Sequence, residues 1–438
     1  MNAGRAGGPA VRRLSAMSST IKPSARPEQF AADRTTDPVP APPPRHYGRR
    51  VALMMLASGW SANQFSALLG AYRTEMGLSE SAVTGLFAVY VIGLIPGLLT
   101  GGPLADRCGR RPVALLALGV NLLSTCLLMA GSAATWCLLP GRFLTGLGAG
   151  ALLAAGSAWV KELSSPPYDP TASPGTAAKR SGMFVSAGFA SGGLIASLIA
   201  QWAPYPMLTA YLPHLVLAIG AATAAYGAPE SRPARTRPTE GAAAPAAPEP
   251  FARARFWRAV LPVAPWVFAA PTIGFVTLPG LVDGGMAGWR TVYAGVATAV
   301  VPGTGLLVQP LARHLATRHR LANGVAGLLV IAAGLSCAAP AAATEQPWLA
   351  LAAAAILGAG YGLTLSFGLT EVAALAPRAH LARLTSLFWT LAYIGMFTPY
   401  ALAALSSAGL GVPALLGAGA VLAVLVCAVF GLLNRDGR

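Results

Sequence analysis

Residues 102–111 read Gly-Pro-Leu-Ala-Asp-Arg-Cys-Gly-Arg-Arg and stand between two long apolar stretches. Asp106, Arg107, Arg110 and Arg111 cannot lie in hydrocarbon, so the segment is expected to be a tight charged turn on the water side of a membrane. Gly102 and Gly109 are expected to allow the turn. Asp106 has the chemistry to accept hydrogen bonds from the exposed amides of a helix N-terminus, where the helix dipole favours an anion. The arginines are placed to pair with Asp106 or with anionic lipid headgroups.

A second candidate is Arg142, in Gly141-Arg142-Phe143-Leu144-Thr145-Gly146-Leu147-Gly148-Ala149-Gly150. It is the one strongly basic residue inside an expected membrane span, and an arginine there costs about 3 kcal/mol. It cannot release a proton near neutral pH, so its roles are to set the acidity of a neighbour or to hold a substrate anion. Snorkelling to the nearby interface is the structural alternative. Trp60, Asn63 and Ala67 share a helical stripe, with Gln64 beside it. Amides in a span either bind another helix or line a wet cavity. Tyr361 with Thr364, and Trp389 with Tyr393, form two further stripes, open to a substrate role or to plain packing.

A titratable carboxylate deep in the hydrocarbon is not expected. Almost all of the 15 acids fall in loops or tails. Glu371 stands near one end of its span and Asp283 in a loop, neither of them deep. His214 titrates near neutral pH but is alone in its span. Coupling through Asp283, Glu371 or Asp106, coupling through a charge on the substrate, and uncoupled transport all remain open.

The elements that must hold these residues follow from composition. The chain has 438 residues, of which 55% are hydrophobic and 11% charged, with a mean hydropathy of +0.58. Soluble domains carry about 25% charged residues, so this is a polytopic membrane protein. Twelve segments reach the roughly 20 apolar residues that a span needs. They are 51–72, 81–102, 112–131, 136–160, 181–202, 206–227, 257–281, 290–311, 322–342, 348–374, 384–406 and 410–433, called spans 1 to 12 below. All but three of the 31 Lys and Arg fall on one side, the exceptions being Arg73, Arg290 and Arg142. That bias puts both chain ends in the cytoplasm of a plasma or inner membrane. The net charge of +16 is therefore topogenic, and no nucleic acid partner is expected. The five cysteines have no metal-ligand spacing and read as unpaired apolar residues.

Residues 1–50 are Pro- and Arg-rich and are expected to form a disordered basic tail. Residues 51–227 and 256–433 are the expected six-helix bundles, joined by a Pro-, Ala- and Arg-rich cytoplasmic linker at 228–255 and followed by a short tail at 434–438. The halves echo each other. Pro103-Leu104-Ala105-Asp106-Arg107 follows span 2, and Pro310-Leu311-Ala312-Arg313-His314 follows span 8. Gly148-Ala149-Gly150 in span 4 matches Gly358-Ala359-Gly360 in span 10. Lys179-Arg180 entering span 5 has a weaker echo in Arg383 entering span 11. Span 7 carries Pro262, Pro265, Pro271 and Pro279, each inviting a kink.

The pattern Gly102-x-x-x-Asp106-Arg107-x-Gly109-Arg110-Arg111 resembles the loop signature of bacterial major facilitator superfamily transporters. The resemblance implies an all-α integral membrane fold of twelve transmembrane helices in two pseudo-symmetric six-helix bundles, with a site between the halves. Spans 1, 4, 7 and 10 then line the cavity, and the charged turn latches the halves in one state. The stretch after Arg142 resembles the family's fourth-span motif, associated with proton antiport. Span 5, Gly188-Phe189-Ala190-Ser191-Gly192-Gly193-Leu194-Ile195-Ala196-Ser197, keeps the first glycine pair of the drug antiporters' signature there but lacks its Gly-Pro and terminal Gly-Gly.

The implied function is secondary transport by alternating access, with export of an amphipathic or lipophilic small molecule by proton antiport ranked first. Uptake or facilitated transport of a small organic anion or metabolite is the alternative, and a non-transporting membrane sensor is the reading from another class. No catalytic constellation or nucleotide-binding loop points to an enzyme or an ATP-driven pump. No cofactor or metal is expected. The expected partners are a small-molecule substrate, protons and the bilayer, around a monomer.

Overall fold

A computed structural model describes residues 46–172, 176–231, 250–375 and 381–434. The described residues from 46 onward belong to one unit, Pro44–Arg438, and among them every regular element is helical. The expected tail before residue 46, most of the central linker and residues 435–438 lie outside the described residues.

All twelve expected segments are helical. Ten form helices long and apolar enough to cross a membrane, and Trp266–Leu281 adds a shorter apolar helix. Span 1, Tyr47–Ala67 continued by Leu69–Met76, falls below that apolarity. The reason is its polar run: Ser58, Ser61, Asn63, Gln64 and Ser66 are all buried against other helices rather than lipid. Span 7 is broken as its prolines foretell. Pro250–Ala259 is followed by turns, then by Trp266–Thr272, a π turn at Ile273–Thr277 and Leu278–Leu281. Each proline withdraws an amide from the helical ladder, and the wider π turn absorbs the mismatch.

The charged turn differs from expectation at its start. Span 2 runs unbroken from Glu80 to Cys108, so Gly102 is helical and does not bend the chain. The reversal is made by Gly109 alone, at φ +107°, a conformation that a side chain resists. Span 3 starts immediately afterwards, at Arg110. The helix persists because only its last turn carries charge, and that turn can sit in the headgroup layer.

Spans 2 and 4, 1 and 5, 3 and 4, 9 and 10, and 9 and 12 are the packed neighbours within the two sets of six. Spans 5 and 8 carry the main contact between the sets. There Gly193 faces Thr298 and Gly295 faces Ser197, so closely that neither glycine has room for a methyl group.

Candidate functional site

A cavity of about 120 Å³ lies between spans 1, 2 and 5 on one side and spans 7, 8, 10 and 11 on the other. Its wall is mostly aromatic, with Phe87, Tyr90, Phe189, Phe268, Tyr361 and Tyr393 prominent. Phe268, on the broken span 7, stacks on Tyr393 with ring centroids 4.4 Å apart, and Tyr361 and Trp389 flank it at 6.1 and 6.2 Å. Asn63, Ser66, Ser186 and Gln309 supply polar groups, and none of the lining side chains is charged.

The sequence candidates divide into three groups. Asn63, Tyr361 and Tyr393 reach the cavity wall. Trp389 stands one ring behind it, against Phe268 and Tyr393. Trp60 and Gln64 turn away from it. Trp60 packs on the backbone side of Gly192 in span 5. Gln64 directs its Nε2 towards Thr125 Oγ1 at 3.5 Å, and the same hydroxyl lies 2.9 Å from His214 Nδ1. His214 therefore belongs to a buried polar cluster of spans 1, 3 and 6, not to the cavity.

Arg142 is fully buried, so it does not snorkel. Its guanidinium carbon lies 4.3 Å from the centroid of the Phe65 ring and 5.1 Å from that of Tyr90, both within cation–π range. Nε donates to the Leu86 carbonyl at 3.2 Å, while Nη1 and Nη2 find no partner among the described residues. Tyr90 separates this charge from the cavity. Beside it the hydroxyls of Tyr72 and Tyr211 share a 2.7 Å hydrogen bond.

At the end carrying the charged turn, the N-terminus of span 3 is capped by a residue that sequence reading missed. Glu230, just after span 6, accepts hydrogen bonds from the amides of Arg110 at 2.8 Å and Arg111 at 2.9 Å. This is the role expected of Asp106. Asp106 cannot fill it because the unbroken helix carries its side chain alongside Arg110, whose guanidinium it meets at 2.6 Å. Arg110 also binds Glu162 at the end of span 4, and Ser231 donates to the same carboxylate at 2.6 Å. Trp159 and Tyr168 donate to the carbonyls of Pro229 and Glu230. The signal available in sequence was the carboxylate of Pro229-Glu230-Ser231, the first after span 6. Arg107 and Arg111 take no part in the ion pairs described here; Arg111 lies over the Tyr226 ring, 4.7 Å from its centroid.

Glu371 stands near the end of span 10, and there it is only 2% exposed, with Arg255 at 3.4 Å and Arg320 at 3.5 Å against its carboxylate. The pair repeats in the last six spans what Glu162 and Arg110 make in the first. Each ion pair described at this end joins residues of the same half. Contacts between halves lie towards the opposite end: Phe87 with Phe275, Trp202 with Trp289, the Gln201 amide on the Gly288 carbonyl, and Tyr400 over Gly85. The side chains of Asp283 and Arg383 are outside what the structure describes, so their expected roles have no geometry here. The five cysteines are free, and no group of metal-binding side chains occurs among the described residues.

A family model described as Major Facilitator Superfamily matches residues 51–399. Multidrug resistance protein MdtL of Klebsiella pneumoniae (strain 342) is 38% identical over 76 residues, 17% of this chain and 19% of that protein. MdtL of Salmonella paratyphi C (strain RKS4594) is 37% identical over the same length. The aligned part thus spans less than a fifth of these relatives. Among solved structures, a POT family transporter in complex with 5-aminolevulinic acid superposes with a TM-score of 0.70 at 14% identity, covering 89% of this chain and 96% of that one. A D-xylose-proton symporter superposes at 0.67 and 18% identity, covering 87% and 96%. At such identities the likeness establishes the fold.

Proposed function

We propose, from the premise that the chain belongs to the Major Facilitator Superfamily, that this transporter exports an amphipathic or lipophilic small molecule, with proton antiport as the drive. The observation that carries the reading is the aromatic, uncharged cavity between the first and last six spans. A lipophilic solute gains by leaving water for such a wall, at about 25 cal/mol per Å² of apolar surface buried. The local similarity to MdtL, named for multidrug resistance, points the same way over its 76 residues. Uptake of an organic anion draws on Arg142 and on the expected lack of buried acids; its support is weaker here because that guanidinium stands behind Tyr90 and Phe65 instead of facing the cavity.

The excess of Lys and Arg assigns the charged-turn end to the cytoplasm. On that assignment, the described contacts between halves gather at the outer end, and the described ion pairs of the inner end stay within each half, which supports an inward-facing arrangement. Asp106, with its carboxylate 63% exposed, is then the group available to engage the other half when the inner end closes. The two six-span sets would rock about the tight packing of spans 5 and 8.

The test is flux in proteoliposomes across a panel of lipophilic compounds, with and without an imposed proton gradient. Export accelerated by inward proton flow is the expected result. Gradient-independent flux removes antiport, and absence of flux for every compound removes the export reading.

A further inference from the structure

The polar groups of the cavity wall are biased in one direction. The Asn63 Nδ2 donates to the Phe189 carbonyl at 2.8 Å. The Gln309 Nε2 donates to the carbonyls of Gly305 at 3.0 Å and Gly362 at 3.3 Å. Only an NH₂ group can meet a carbonyl, so these partners fix both amide orientations. Both N–H groups of Gln309 are thereby spent, and its oxygen, an acceptor that cannot donate, is what remains; Asn63 keeps one N–H beside its oxygen. Asn63 belongs to span 1 and Gln309 to span 8, so the acceptors stand on walls from different halves. The remaining polar side chains of the lining are the hydroxyl groups of Ser66 and Ser186 together with the tyrosine hydroxyls, which turn to donate or to accept. No lining side chain is a donor alone.

Charge is biased as well. The lining has no carboxylate to balance a cation, and Arg142 places a positive charge just behind Tyr90. The aromatic faces that would attract a cation are partly spent on one another, as in the Phe268–Tyr393 stack, or on Arg142 itself.

We infer that the cavity selects a neutral, flat aromatic molecule bearing hydrogen-bond donors, such as a phenol or an aryl N–H compound, and rejects permanent cations of the same shape. This rests on the reading of the cavity as the transport site. A ligand donor pairs the Gln309 oxygen, which has no N–H left beside it to meet an acceptor instead. A ligand without a donor desolvates that oxygen for no return, which costs more than the hydrogen bond itself is worth.

The test uses three compounds of one shape: 2-naphthol, its ether 2-methoxynaphthalene, and the cation N-methylquinolinium. Binding to the purified full chain in nanodiscs is measured by quenching of its intrinsic fluorescence, with empty nanodiscs subtracted. 2-Naphthol is expected to bind about tenfold tighter than the ether, the ratio that one net hydrogen bond of roughly 1.4 kcal/mol gives. N-Methylquinolinium is expected to bind weakest. The variant Gln309→Met, which removes the acceptor-only group, is expected to bring the naphthol-to-ether ratio towards one, and Asn63→Leu to leave it well above one. If either fails to fold, the wild-type series decides alone. An ether that binds as tightly as the phenol, or a cation that binds as tightly as either, overturns the inference. Flux of both neutral compounds at equal rates overturns it too but leaves the transporter reading standing, whereas no flux of any compound removes both.

Discussion

Replacing Glu230 by glutamine separates the capping of span 3 from every other role of the charged turn. The carboxylate takes two of the four amides that a helix start leaves without partners, with oxygens 2.8 and 2.9 Å away. Loss of a cap costs about 1 kcal/mol, and loss of a negative charge at the positive end of a helix dipole adds roughly 0.5 kcal/mol. Glutamine keeps the shape but turns an NH₂ group towards one of the amides, so donor faces donor. The expected loss is therefore about 1.5 kcal/mol, a fall of roughly 3 °C or more in the unfolding midpoint. The measurement is thermal unfolding of purified wild type, Glu230→Gln and Asp106→Asn in one detergent at one scan rate, because such transitions are often irreversible. Asp106 is largely exposed and caps nothing, so Asp106→Asn is expected to stay within about 0.5 kcal/mol of wild type. A Glu230→Gln protein that melts with wild type would show that water caps the helix equally well. Asp106→Asn melting as early as Glu230→Gln would refute the division of labour between the two carboxylates.

Asp106→Asn is nonetheless expected to insert normally and to lose most of its transport, as measured by flux in proteoliposomes at matched protein density; unimpaired flux would reduce the turn to a topology signal. Glu371→Gln leaves Arg255 and Arg320 facing an amide in a buried setting, and is expected to destabilise by about 3 kcal/mol, read as an early melt with poor recovery from the membrane. Arg142→Lys keeps a charge but loses the flat group that lies over Phe65 and Tyr90, and is expected to be less stable than Arg142→Met, which removes the buried charge altogether. Equal melting of the two variants would mean that the rings do not hold the guanidinium. Gly193→Leu would force spans 5 and 8 apart at Thr298, and is expected to abolish flux while leaving membrane insertion intact, as read by accessibility labelling.

The spans were legible because hydrocarbon tolerates so few polar residues, and the break in span 7 because proline is a local instruction. The amides of span 1 were legible as groups that must meet another helix or a cavity, whereas the burial of Ser58, Ser61 and Ser66 around them shows only in the structure. What could not be read was direction. Asn63 and Gln64 are neighbours, and only the packing of span 5 sends one to the cavity and the other towards Thr125. Arg142 stands on span 4, which the resemblance made a cavity-lining span, and the aromatic rings in front of it come from spans 1 and 2. The enclosure of Glu371 near its helix end could not be read either, because it is made by arginines distant in sequence. Glu230 stood in what reads as a linker, and its partners lie about 120 residues earlier.

That separation bears on how the protein is made. Span 3 leaves the ribosome long before Glu230 exists, so its first turn waits uncapped in the headgroup layer until span 6 has been threaded. The opening set of helices is finished only when residues 230 and 231 dock on Arg110 and Glu162. A gene cut to express the protein as two fragments should therefore keep these residues with the first fragment. A cut at residue 227, where the last apolar stretch of that set ends, would deliver every helix of the fragment and still leave out the piece that fastens three of them together.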